Sequence, residues 1–137
     1  MALLDFTVSG SPDELNKIAD QVDRVAEAEG WSQQAIFALQ VSLDEWVSNV
    51  FKYSYDDATD RPIRILLDQD DRGIVASVED EGRPFDLTQA DIPDTLGDTL
   101  SRQREGGMGL FMMRHLLSGI EYRQNAGRNI VTLRVKP

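Results

Sequence analysis

The sequence predicts an α+β fold: a two-layer sandwich of a mixed, mostly antiparallel sheet with helices on one face. Three observations predict it. Two long stretches repeat their apolar residues with a helical period of 3.6. Five short stretches alternate apolar and polar residues, as half-buried strands do. Four of those five fall in pairs around turn residues, as hairpins do.

The elements follow in order. Leu4, Phe6 and Val8 alternate, so residues Leu3 to Val8 read as a strand. Ser11-Pro12-Asp13-Glu14 starts a helix, with a Ser cap, Pro in the first turn and acids behind it. Its apolar positions Leu15, Ile18, Ala19, Val22 and Val25 carry it to Glu29, and Gly30 stops it. Ser32 caps a second helix striped by Ile36, Leu39, Leu43, Trp46, Val47 and Val50, expected to end near Tyr53 to Tyr55. Residues Asp56 to Asp60 are a loop. Ile63, Ile65 and Leu67 mark a strand that turns at Asp70-Asp71-Arg72-Gly73 into a return strand, Ile74 to Asp80. Glu81 to Gly106 shows no periodic element, and a loop of that length inside a domain usually serves function. Gly107 opens a helix over Leu110 to Leu117. A second hairpin, Ile120 to Gln124 and Asn129 to Val135, turns around Asn125-Ala126-Gly127.

A chain of 137 residues fits a single domain, 1–137. Its 41% hydrophobic and 28% charged residues are ordinary for a globular protein. It has no Cys and one His, which excludes disulfides, thiol nucleophiles and histidine or cysteine metal clusters. No apolar run approaches the ~18 residues of a membrane span. The opening MALLDFTVSG lacks the basic region and apolar stretch of a secretion signal, so a cytoplasmic protein is expected. The net charge of −10 argues against direct nucleic-acid binding, which needs a basic face. The charge is uneven. From Ser101 onward there are 2 acids and 7 bases, against 22 acids and 7 bases before it. Either surface charge is scattered unevenly, or the last segment meets an anion.

Three places carry residues that structure alone does not require. Glu45 and Asn49 are four apart on the second helix, hence on one face, with Lys52 one turn further. They are either a solvated helix face or a functional set. In the second case the carboxylate can accept a proton, the amide oxygen can hold Mg²⁺ and the ammonium can offset phosphate charge. Asp80 shares the parity of Ile74, Ala76 and Val78, so it faces inward at a strand end, with Gly82 two residues on. It either caps the next turn or accepts from a ligand's amino group. Gly106-Gly107-Met108-Gly109-Leu110 opens a helix. It is either a flexible joint or an anion site of free N–H groups, with Arg102 and Arg104 close by.

Glu-x-x-x-Asn on a helix, Asp-x-Gly-x-x-Phe after a strand and Gly-x-Gly-Leu at a helix start resemble, together, the Bergerat nucleotide-binding fold. Histidine kinases, DNA gyrase and the ninety-kilodalton heat-shock chaperone share it. The matching stretches are Leu43 to Tyr53, Val78 to Asp86 and Gly106 to Leu110. The short length, the N-terminal strand and the ending Gly127 to Leu133 look most like the bacterial anti-sigma-factor serine kinases.

That resemblance implies ATP and Mg²⁺ as cofactors and a protein serine/threonine kinase activity. It implies Glu45 as general base and Asn49 as Mg²⁺ ligand, with Lys52 near the phosphates and Tyr53 beside it. Asp80 would accept from the adenine amino group, Gly82 and Phe85 would border the base, and Asn129 would support Asp80. Arg104, Gly107, Met108, Gly109 and Leu110 would border the phosphates, and residues 81–106 would form a lid. The implied partners are an anti-sigma-factor antagonist bearing the acceptor serine, a sigma factor and a second copy of the chain. The alternative is an ATP-gated binding module without transfer. Two departures stand out. Tyr53 replaces the His that many members carry, and the lid stretch Asp86 to Asp98 holds four Asp and no base. His115 is the one His, on the helix after the glycines, and reads as a surface or core residue.

Overall fold

In a computed structural model of the chain the described residues are 2–9, 12–51, 62–83 and 107–136. Their order is β1 (Leu4–Val8), α1 (Pro12–Glu29), α2 (Gln33–Asn49), β2 (Ile63–Asp70), β3 (Gly73–Asp80), α3 (Gly107–Leu116), β4 (Gly119–Asn125) and β5 (Arg128–Val135). The Ser11 cap, the loop at 56–60 and most of the expected lid lie outside the described residues. So does the expected end of the second helix. Regular α-helix stops at Asn49, and Val50 keeps helical dihedrals with its N–H on the Trp46 and Val47 carbonyls. Ser32 caps α2 as expected, its hydroxyl accepting from the Ala35 N–H at 3.1 Å.

The strands form one sheet in the order β1-β2-β3-β5-β4. Every neighbouring pair is antiparallel, where a mixed sheet was expected. The connection from β3 through α3 does make β4 run parallel to β3, as a crossover must. However, β5 returns from β4 and slots between them, so the two parallel strands never pair.

Alternation decides which face is buried. Ile63, Ile65, Leu67, Ile74, Ala76, Val78, Val131 and Leu133 are all within 1% of full burial and face the helices. From above, α1 contributes Ile18, Val22 and Ala26, and α2 contributes Ala35, Leu39, Leu43, Trp46, Val47 and Val50. Ala19, expected in the core, is exposed. The 18-22-26 row faces inward, and Ala19 sits about 100° around the helix from Ile18.

The second hairpin turns on Ala126 and Gly127, with φ of 53° and 80°. Two positive φ values make a type I′ turn, which matches strand twist but strains a Cβ at its first centre. Ala126→Asn gives the Asn-Gly pair that such turns prefer. It should raise stability by about 0.5–1 kcal/mol, about 2–4 °C in Tm by calorimetry. An unchanged or lower Tm would mean that the turn tolerates Ala without strain.

Candidate functional site

Two clusters of polar side chains line the elements that the sequence singled out. The first lies on α2. Asn49 and Glu45 occupy successive turns, and the Asn49 Nδ2 donates to Glu45 Oε1 at 2.9 Å. Both side chains are half-buried. That bond fixes the amide's orientation, so the Asn49 Oδ1 points away from the carboxylate, and an amide oxygen is chemically able to ligate a hard cation. The first turn of α3 lies directly over Glu45. A Cβ built on Gly109 would fall on the Glu45 carboxylate. Gly109 therefore has a packing reason to be glycine besides the expected one, because it lets the start of α3 approach this side chain.

The second cluster closes the end of the sheet. Asp80 and Asn129 are direct partners across β3 and β5. Their parity buries both, at 3% and 2% exposure, which is unusual enough for a carboxylate to demand partners. Asp80 Oδ1 accepts from Asn129 Nδ2 at 2.9 Å and from the Gly82 backbone N–H at 2.9 Å. The second Asn129 N–H donates to the Gly82 carbonyl, also at 2.9 Å. Among the described residues both hydrogen bonds to Asp80 fall on Oδ1. Burial pushes the Asp80 carboxyl above the ordinary range, and the Asn129 and Gly82 N–H groups oppose that by stabilising the charged form.

One residue of this cluster was missed from sequence. Tyr122 on β4 donates its hydroxyl to Asn129 Oδ1 at 2.8 Å. Its strand parity, shared with Ile120, marks it as inward-facing. A tyrosine on an alternating strand reads as core, so nothing flagged its hydroxyl.

The remaining expected residues divide in three. Gly107 is the first residue of α3, Leu110 packs on the core and Met108 lies in the same turn. Lys52, Tyr53, Phe85 and Arg104 lie outside the described residues. His115 is exposed and sits 4.2 Å from the Phe111 ring, as a surface residue would. The basic C-terminal segment is partly answered by the chain itself. Arg128 reaches Glu79 and Glu81, and Arg134 reaches Asp70 and Glu121. These exposed pairs contribute little to stability, but they favour scattered surface charge over an anion site at these two arginines. Among the described residues no helix is long and apolar enough to cross a membrane.

The likeness to known proteins spans the whole assembly of these elements. The profile of one protein family, the histidine kinase-like ATPase domain, matches residues 8–135. The serine/threonine-protein kinase BtrW of Bordetella bronchiseptica is 30% identical over 112 residues, 82% of this chain and 78% of that protein. The serine-protein kinase RsbW of Bacillus pumilus is 28% identical over 132 residues, 91% of this chain and 80% of that protein. Among solved structures, the RsbU and RsbW domains of Rv1364c from Mycobacterium tuberculosis superpose with a TM-score of 0.66 at 20% identity. That match takes in 98% of this chain and 32% of the larger one. The SiaB–SiaC complex from Pseudomonas aeruginosa contains a chain that superposes with a TM-score of 0.64 at 16% identity, covering 98% of this chain and 89% of that one. At such identities the superpositions establish the fold.

Proposed function

The chain belongs to the histidine kinase-like ATPase domain family and is a protein serine/threonine kinase, and on that premise we propose that it phosphorylates a serine on an anti-sigma-factor antagonist. By choosing between that partner and a sigma factor it would act as a partner-switching regulator in the cytoplasm, as a homodimer. The hydrogen bond between Asn49 and Glu45 carries the reading. It holds a carboxylate beside an amide oxygen under the start of α3, which supports reading the first as a proton acceptor, the second as a metal ligand and the helix start as a phosphate site.

The residues fit the groups that the reaction needs. Asp80 Oδ2 would accept from the amino group of adenine, and Gly82 leaves room for the ring. Asn49 Oδ1 would hold Mg²⁺, which supplies charge neutralisation on the phosphates when bound. Among the described residues no group of three or more His, Cys, Asp or Glu is placed to hold a metal alone. That suits Mg²⁺, which keeps waters and phosphate oxygens around few protein ligands. Gly107 and Gly109 would turn backbone N–H groups toward the phosphates. By the family resemblance, Lys52, Tyr53, Phe85, Arg104 and Met108 would complete the proposed pocket, and residues 81–106 would be its lid. Glu45 would take the proton from the acceptor serine as its Oγ bonds to the γ-phosphorus and the bond from that phosphorus to the β,γ-bridging oxygen breaks, leaving ADP and phosphoserine, with catalysis coming mostly from position and charge.

Calorimetry tests the metal and nucleotide roles together. The wild-type chain should bind ATP more tightly with Mg²⁺ than without it. Asn49→Ala should lose that gain, at least tenfold in affinity, since one contact of a polar oxygen with a charged partner contributes about 1.5–3 kcal/mol. An Asn49→Ala chain that keeps the full Mg²⁺ dependence would remove Asn49 from the metal.

A further inference from the structure

We infer that Tyr122 is a positioning residue for adenine recognition: its hydroxyl completes the hydrogen bonding of Asn129, which in turn holds Asp80 with one oxygen turned to the base. The inference rests on the adenine-binding role proposed above for Asp80.

The chain of contacts is continuous and directional. The Tyr122 hydroxyl donates to Asn129 Oδ1 at 2.8 Å. The Asn129 amide then donates one N–H to Asp80 Oδ1 and the other to the Gly82 carbonyl, each at 2.9 Å. The Gly82 N–H returns to Asp80 Oδ1 at 2.9 Å. Every hydrogen on the Asn129 amide is therefore used, and its oxygen has a partner. This matters because Asn129 is 2% exposed, so water cannot replace a lost partner.

The register explains how an edge strand reaches the site. Asn129 faces Gln124 on β4, and Tyr122 faces Val131. Tyr122 is thus the diagonal neighbour of Asn129 on the same face of the sheet, within reach of a long side chain. Its ring is half-buried against the core, which limits where the hydroxyl can go. The same amide also ties β5 to the Gly82 carbonyl, two residues beyond the end of β3. The backbone beside the proposed base site and the carboxylate that reads the base are thus set by one side chain. Tyr122 sets that side chain.

Removing the hydroxyl leaves Asn129 Oδ1 buried with a lost partner, and the amide is then free to tilt away from Asp80. The effect should appear in what Asp80 reads. Purine riboside triphosphate lacks the amino group that ATP offers, so the ratio of the two affinities isolates the Asp80 contact. In the wild-type chain ATP should bind more tightly than the analogue. In Tyr122→Phe the ratio should fall about threefold to tenfold, the size of one neutral hydrogen bond. The affinity for the analogue should fall less than that for ATP. With p-aminophenylalanine at position 122 a donor returns to the same place, and the ratio should return with it.

Each other outcome has a distinct meaning. Equal weakening of both nucleotides in Tyr122→Phe, or no change in the ratio, overturns the inference and leaves Tyr122 a packing residue. A melting curve is run on every variant. If Tyr122→Phe does not fold, Tyr122→Met is read in its place. Failure of both to fold also makes Tyr122 a packing requirement and overturns the inference. A wild-type chain that binds ATP no better than the analogue, or binds neither, overturns instead the adenine role of Asp80 on which the inference rests.

Discussion

Asp80→Asn is expected to weaken ATP binding about a hundredfold or more while leaving the fold at least as stable as it was. The two halves of this expectation have different causes. Asparagine keeps an oxygen where Oδ1 accepts from Asn129 and Gly82, so the internal bonds survive. Its NH₂ then takes the place of Oδ2 and meets the adenine amino group donor to donor. The loss combines a charge-assisted hydrogen bond, about 1.5–3 kcal/mol, with a buried unmatched donor, about 1–3 kcal/mol.

The stability half follows from linkage. Burial raises the folded-state pKa of Asp80 above its unfolded value. A carboxyl shifted upward contributes most to stability when protonated, and that contribution is lost as pH rises through the folded pKa. Above the raised pKa the ionised Asp80 therefore costs stability, and the amide removes that cost. The Tm advantage of Asp80→Asn should be largest above the raised pKa and shrink as pH falls through it toward the ordinary carboxylate range. Calorimetric titration and melting curves on the same samples read both halves. A variant that binds ATP like the wild type would clear Asp80 of any role in recognition. A variant that binds weakly and also melts early would make Asp80 a structural residue. The expected combination, lost binding at preserved stability, marks a carboxylate kept for its ligand at the expense of the fold.

Strand parity made much of this legible before any coordinates. A period of two residues assigns each side chain a face, so Ile74, Ala76 and Val78 place Asp80 inward, and Val131 and Leu133 place Asn129 inward. Ser32 and the helical stripes set α1 and α2 on similar grounds, because caps and periods are local properties of the chain. What was not legible depends on contacts between segments far apart in sequence. Nothing local says that β5 rather than β4 lies beside β3, and hence that the sheet has no parallel pair. Nothing local puts Tyr122 on Asn129, since that contact needs the strand register. The approach of α3 to Glu45 is of the same kind. The glycines before and after Met108 read either as a flexible joint or as open N–H groups for an anion, whereas at Gly109 the missing Cβ also makes room for a side chain from another helix.

That last contact decides how the proposed role of Glu45 as general base should be tested. Glu45→Ala would remove the proton acceptor, but it would also strip Asn49 Nδ2 of its 2.9 Å partner and open a gap beneath Gly109. A loss of transfer in that variant could then come from a misplaced metal ligand. Glu45→Gln avoids the ambiguity. Its amide oxygen can still accept from Asn49 and its volume still fills the space under α3, but it cannot take a proton. Mg²⁺-dependent ATP binding should stay within about twofold of wild type, while phosphoryl transfer to the acceptor serine should fall by about 10²–10⁴. Transfer at the wild-type rate would show that the carboxylate is not the base, since phosphoryl transfer can proceed largely through positioning and charge. If the Gln variant instead loses nucleotide binding, Glu45 acts through Asn49 as part of the metal site. The oxygen that accepts from Asn49 and the charge that accepts a proton belong to the same group, and only an isosteric neutral replacement separates them.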